Sequence, residues 1–325
     1  MQQATSLPGT RESKEKRIKR RRTYNSRGGL PGETLSGYLF LAPYLFVLII
    51  FFIFAALVGF IFSLFKLDIG FSTPVFIGFN NYIAIWNQLG FVNGFENGDF
   101  WISLGNIIRF VIVVVTGQTI LALILALLLQ RITFLQGVFR TTLFLPTVTS
   151  SIAISIIFLW LYQPQGLVNY ILSLIHIVGP EWLQDPNTAL PAIMLLNIWT
   201  TAPTYMIFYL GGLQSIPRTL YEAAATDGAD RFQTFWNVTL PLLRPITFLI
   251  VATGTIGTFQ LFDQVFIMTQ GGPLKSTLSP VYVMYNTAFN QHKFGLACAM
   301  SVLLFVLVLI VTVLQRRFID VDVQY

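Results

Sequence analysis

Polar side chains set inside long apolar runs carry the chemistry this sequence offers. Asn197, Trp199, Thr200, Thr201 and Tyr205 interrupt one such run, and Thr253, Thr255, Thr258, Gln260 and Asp263 interrupt another. Amides, hydroxyls and aromatic faces can hydrogen-bond and stack against a hydroxyl-rich solute, and polar groups at membrane depth face a bundle interior or a watery cavity. The same groups can equally bond helix to helix, with no solute involved. Arg109 and Asp263 are the charges that fall within apolar spans. Whether they pair is not decided by their positions in the chain.

Reactive groups are scarce. There are two histidines, His176 and His292, far apart and outside any ligand spacing, and a single cysteine, Cys298, in an apolar run. One cysteine forms no intrachain disulfide. No G-x-x-x-x-G-K-[ST] phosphate loop occurs. Gly271 to Ser276 comes near it but lacks the glycine before Lys275. No G-x-S-x-G motif or pair of carboxylates stands out. The chain is therefore not expected to be an enzyme, to hold a metal, or to bind a cofactor of its own.

The elements that must position these groups are membrane helices. Of 325 residues, 54% are hydrophobic and 10% charged, and the mean hydropathy is +0.69. Soluble domains carry about 25% charged residues. A helix needs about 20 apolar residues to cross the hydrocarbon core. Six segments qualify: Tyr38–Leu67, Leu104–Leu129, Thr142–Tyr162, Leu190–Leu213, Ile246–Met268 and Phe294–Leu314. Residues 280–293 are less apolar and read as an interfacial helix. Residues 1–36 form a basic tail, polar enough to be expected disordered, leaving 37–325 as the membrane domain. The tail is not a secretory signal, because the apolar stretch behind it is too long and lacks a cleavage site.

Charge orients the six spans. With the N-terminus inside, sixteen Lys/Arg fall in cytosolic segments and three (Lys66, Lys275 and Lys293) in outer ones. That bias is the positive-inside pattern, and it places both termini in the cytosol. It also accounts for the net charge of +6, which in a soluble protein would have suggested nucleic acid as a partner.

Between the fourth and fifth spans lies an ordered-looking cytosolic elbow, 215–245. Ser215 can cap a helix with Pro217 in its first turn, and Thr219–Asp227 reads as that helix, stopped by Gly228. Asp230 with Gln233 makes a capping-box pattern for a second helix. Pro241 and Pro245 are expected to break it. Glu222 points away from Leu220, Ala223 and Ala224, while Phe232, Phe235 and Trp236 form a stripe. The elbow is either a connector resting on headgroups or a docking element.

Glu222-Ala223-Ala224, Gly228 and the run Val238-Thr239-Leu240-Pro241 resemble the EAA loop, E-A-A-x3-G-x9-I-x-L-P, of binding-protein-dependent ABC importer permeases. Val238 replaces the isoleucine. The likeness implies that Glu222, Ala223, Ala224, Asp227, Gly228, Leu240 and Pro241 belong to coupling helices seated in a groove of a separate ATPase subunit. Phe76–Tyr82, Gln163–Ala189, Phe262-Asp263 and Thr269–Pro273 are similar to the carbohydrate branch, the maltose and glycerol-phosphate importers. The similarity runs from about Tyr38 to Phe318.

The expectation is an all-α membrane protein of six helices that carries a carbohydrate or polyol. Its implied partners are a second, homologous permease, two ATPase subunits holding ATP and Mg2+, an external solute-binding protein (periplasmic or lipid-anchored), and the bilayer. The expected solute path is Asn197, Trp199, Thr200, Tyr205, Thr255, Gln260 and Asp263. Two other classes remain at this level: an ion-coupled secondary transporter, which should show inverted repeats and several intramembrane carboxylates, and a non-transporting membrane scaffold.

Overall fold

The structure is a computed structural model that describes residues 31–68, 73–87, 98–132 and 136–318. Most of the basic tail, residues 1–30, lies outside the described residues, so the expectation made for it is not addressed. The chain divides into two compact units, 1–58 and 59–325.

The first unit contains α1 (Pro31–Val47), a π-helical stretch (Leu48–Phe54) and the start of α2 (Ala55–Phe62). No residue of Leu48–Phe54 or Ala55–Phe62 is buried. A helix apolar all round and exposed within its own chain is one that lipid or another protein covers.

The second unit is built on α4 (Asp99–Arg131) and α8 (Pro186–Ser215), which pack along one another. Ala122, Ala126 and Ala202, all fully buried, let the two backbones approach. α12 (Arg244–Phe259) and α14 (Phe294–Phe318) lie against this pair. Two short antiparallel strands, β1 (Phe65–Lys66) and β2 (Val75–Phe76), with α3 (Asn80–Asn87), sit at the end where α4 begins. There the Asn81 side chain donates to the Ser63 and Phe65 carbonyls at 2.8 and 3.0 Å. Lys275 pairs with Asp99 at 2.8 Å at the same end.

Among the described residues four helices are long and apolar enough to cross a membrane: Gly37–Phe62, Asp99–Arg131, Pro186–Ser215 and Phe294–Arg317; two bent pairs bring the number to six if each is one span. The expected all-α membrane fold is thus observed, with three local corrections. The third span is not continuous. α5 (Gln136–Val148) and α6 (Ser151–Leu161) meet at 95°. Pro146 cannot donate into the helix, the Thr147 and Thr149 hydroxyls donate to the Phe144 and Leu145 carbonyls, and Ser150 is extended (ψ 133°). The fifth span stops at Phe259 rather than Met268, and Val265–Thr269 forms a separate π-helical turn. The interfacial stretch contains α13 (Pro280–Tyr285) followed by the π-helical turn Asn286–Asn290, after a short α7 (Leu167–Leu174) in the loop between α6 and α8.

The third correction lies in the elbow. Ser215 closes α8, its hydroxyl donating to the Gly212 carbonyl at 2.7 Å, and Pro217 occupies the cap position of α9 (Arg218–Thr226). Pro241 does not break the second helix. α10 (Arg231–Thr234), a π-helical turn (Phe235–Thr239) and α11 (Leu240–Leu242) run on as one rod through it. The 62° bend falls at Leu243, before α12. The π-helical turn lengthens the hydrogen-bond ring from Leu240 back to Phe235, which leaves room for a residue without an N–H.

Candidate functional site

The polar groups of the fourth span divide by face. Asn197, Thr200, Thr201 and Thr204 line a cavity of about 220 Å3 with Thr147, Thr149 and Ser151 at the break of the third span, and with Gln264. Gln264 Nε2 donates to Ser151 Oγ at 3.2 Å, joining the two broken spans across the cavity. The lining holds amides and hydroxyls and no ionisable side chain. The break in the third span therefore exposes a helix end's worth of hydroxyls where a straight span would have presented methyl groups.

Other expected path residues lie elsewhere. Trp199 is 48% exposed and packs its ring against Phe158, centroids 5.5 Å apart. Tyr205 is half-buried beside Phe208. Thr255 is fully buried and accepts from Gln315 Nε2 at 2.8 Å, a bond that ties α12 to α14. Gln260 is exposed at the end of α12, and Asp263 is half-buried. Arg109 is exposed, and among the described residues no ion pair joins it to Asp263.

A buried residue that the sequence reading passed over is Gln118, 1% exposed in α4. Its Oε1 accepts from the Thr201 hydroxyl at 2.7 Å, and its Nε2 has no partner among the described residues. It fits only because residue 254 is glycine: a Cβ there would lie 2.3 Å from Nε2. Gln118 holds Thr201 at the cavity edge. The signal was present, a lone amide in the run Val115–Leu121. The rule that singles out residues in spans four and five, polar groups in apolar runs, finds Gln118 when it is applied to span two.

The elbow is a compact hairpin of helices. α9 ends in a two-bond turn, with Gly228 N–H donating to the Ala225 carbonyl and Ala229 N–H to the Ala224 carbonyl, at 3.1 and 2.9 Å. That pairing needs a left-handed residue at its hinge, and Gly228 has φ +78°. The capping box forms as its residues imply: Gln233 N–H donates to Asp230 Oδ1 at 2.7 Å and Asp230 N–H to Gln233 Oε1 at 3.0 Å. Tyr221 OH and Thr239 Oγ1, 3.3 Å apart, tie the two helices. Glu222, Ala223, Asp227 and Gly228 are exposed, and Ala224, Leu240 and Pro241 are half-buried. Phe232 and Trp236 are 70% and 51% exposed with rings in contact, whereas Phe235 is tucked inward. An exposed carboxylate and two open aromatic rings, carried on one fixed hairpin of helices, make a surface suited to a protein partner.

A bundle of membrane helices with broken spans, a polar cavity and such an elbow defines a membrane permease. Residues 118–320 match the family described as "Binding-protein-dependent transport system inner membrane component", and the chain belongs to it. It is 35% identical to a lactose transport system permease protein of Rhizobium radiobacter over 86% of this chain and 93% of that one. It is 34% identical to a trehalose/maltose transport system permease protein of Thermococcus litoralis over 88% and 94%. A glycerol-3-phosphate permease of Escherichia coli O157:H7 is 29% identical over 89% and 95%. Among solved structures, a bacterial ABC transporter that imports the acidic polysaccharide alginate superposes with a TM-score of 0.75 at 20% identity, covering 90% of this chain and 98% of that one. At that identity the likeness speaks for the fold. The chain is a multi-pass inner-membrane component of a transport system.

Proposed function

We propose that this chain is one of two related membrane subunits of an ABC importer for a carbohydrate or polyol. An external solute-binding protein delivers the solute, and a pair of ATPase subunits, which carry the ATP and Mg2+, drives the cycle. Both termini and the elbow face the cytosol. Glu222, Ala223, Ala224, Asp227, Gly228, Leu240 and Pro241 form the seat of the ATPase. Closure of the ATPases shifts the elbow, and since a partner biases whichever state it contacts better, the bundle changes the side on which its path is open. At the opposite end, a cavity of about 480 Å3 bordered by Gln163, Glu181, Gln184 and Thr269 is the mouth that faces the binding protein.

The observation that carries the substrate class is the cavity beside Asn197. Its lining of uncharged donors and acceptors suits a hydroxyl-rich solute, and relatives named for lactose and for trehalose and maltose match nearly end to end. Of the expected path residues, Asn197 and Thr200 are kept as solute contacts, joined by Thr201, Thr204 and Gln264. The test is uptake in cells carrying Asn197→Ala or Thr200→Val. Losing one solute hydrogen bond should lower transport about tenfold, with the ATPase still co-purifying. Unchanged uptake in both variants would remove these residues from the path.

A further inference from the structure

A further cavity shares no lining residue with the one beside Asn197. It measures about 680 Å3 and lies between the elbow and the ends of α4 and α8. Gln130 and Arg131 at the end of α4, Gln214 at the end of α8, Arg218 and Tyr221 on α9, and Arg231 on α10 border it. Three arginines thus border one concavity, and among the described residues no carboxylate lines it. None of the three makes an ion pair or hydrogen bond with a described residue. The neighbouring acids are placed otherwise: Asp230 caps α10, and Glu222 and Asp227 are exposed outside the lining.

All three arginines are exposed, so solvent screens much of their repulsion, and the concavity they border presents three cationic forks to an anion from outside. The cavity lies where α4 and α8, two helices long and apolar enough to cross a membrane, end. Arginine's planar fork matches a phosphate oxygen pair, and basic pockets between helices on the cytosolic side take anionic headgroups. We infer that this cavity binds the phosphate of an anionic phospholipid, and that the headgroup wedges between elbow and bundle. The lipid source is favoured over a free phosphate by the position at the ends of two candidate membrane spans, and over an acidic segment of the ATPase because the aromatic surface offered to a partner, Phe232 and Trp236, is not part of the lining. The inference rests on the cytosolic placement of the elbow, which is read separately by labelling at Asp227.

The experiment uses the full chain, purified with its partners and exchanged into nanodiscs of phosphatidylcholine doped with phosphatidylglycerol. Phosphatidylglycerol retained after washing into neutral lipid is quantified by mass spectrometry. Each of Arg131→Gln, Arg218→Gln and Arg231→Gln should lower its retention about fivefold. The lysine versions, which keep the charge without the planar fork, should restore only part of it. Arg140→Gln and Arg244→Gln, outside the lining, should change it less than twofold. Inorganic phosphate at millimolar concentration should not displace the lipid. Equal retention in the triple glutamine variant, or an equal fall in the two control variants, would overturn the site. Displacement by inorganic phosphate would overturn the lipid assignment. Loss of the ATPase with lipid retention unchanged would instead make the cavity a protein-docking surface and sink the proposal.

Discussion

Two glycines show how differently the same residue type is used. Gly228 has open space around it and a φ of +78°, so a side chain there meets no neighbour but holds the backbone in a left-handed conformation. Such strain is about 1–2 kcal/mol, more for a β-branched residue. Gly228→Val should therefore loosen the turn that aims Phe232 and Trp236 while leaving the bundle intact, which thermal unfolding of the purified chain would report as a small shift. Gly254 has an ordinary backbone and no room: a Cβ would strike Gln118. Gly254→Ala should cost about 1–3 kcal/mol and displace the amide that holds Thr201. Thr201→Val should act on the same contact from the other side, leaving Gln118 Oε1 unpaired at a further ~1–3 kcal/mol. The two changes should be strongly non-additive in a double-mutant cycle, since they break one contact. Additive effects would show that Gln118 does not link these helices. Glu222, exposed on α9, belongs to the partner surface, so Glu222→Ala should weaken coupling without a measurable loss of stability.

At the scale of elements, much of the chain was legible. The long apolar runs became helices because lipid leaves a backbone no other way to satisfy its hydrogen bonds. The elbow's capping box and its glycine hinge were readable because caps are local, decided by residues three or four apart. What could not be read was the break of the third span. Thr142–Tyr162 is apolar enough to cross as one helix, and a proline in such a run is often tolerated. The 95° turn depends on Pro146 acting together with Thr147, Thr149 and the extended Ser150, and on Gln264, distant in sequence, donating to Ser151. Pairings of that kind, the bond from Gln315 to Thr255 among them, have no signature in spacing. The continuity through Pro241 is illegible for a related reason: the π-helical turn before it is a backbone adjustment that no residue type announces. Gln264→Leu should free Ser151 and close the cavity with an apolar chain. Uptake should fall while the six-span topology, read by protease protection, is kept.

For the molecule as a whole, orientation rests on sixteen basic residues against three. A cysteine placed at Asp227 should resist a membrane-impermeant maleimide in intact cells, and one at Gln184 should react with it; the reverse pattern would invert every assignment of side. The aromatic elbow and the polar cavity lie in the same unit, joined through α8 and α12, so movement at one can reach the other only through these packed helices. The claim at the centre is that the elbow transmits ATP-driven motion to the solute path. It is tested most directly by ATP hydrolysis of the purified complex, with and without solute-loaded binding protein, for the native chain and for Glu222→Ala combined with Gly228→Val. The native complex should be stimulated severalfold by the loaded binding protein, and the variant complex should lose that stimulation, with solute binding by the external protein unchanged. Full stimulation in the double variant, at normal expression, would show that the elbow is only a connector between spans.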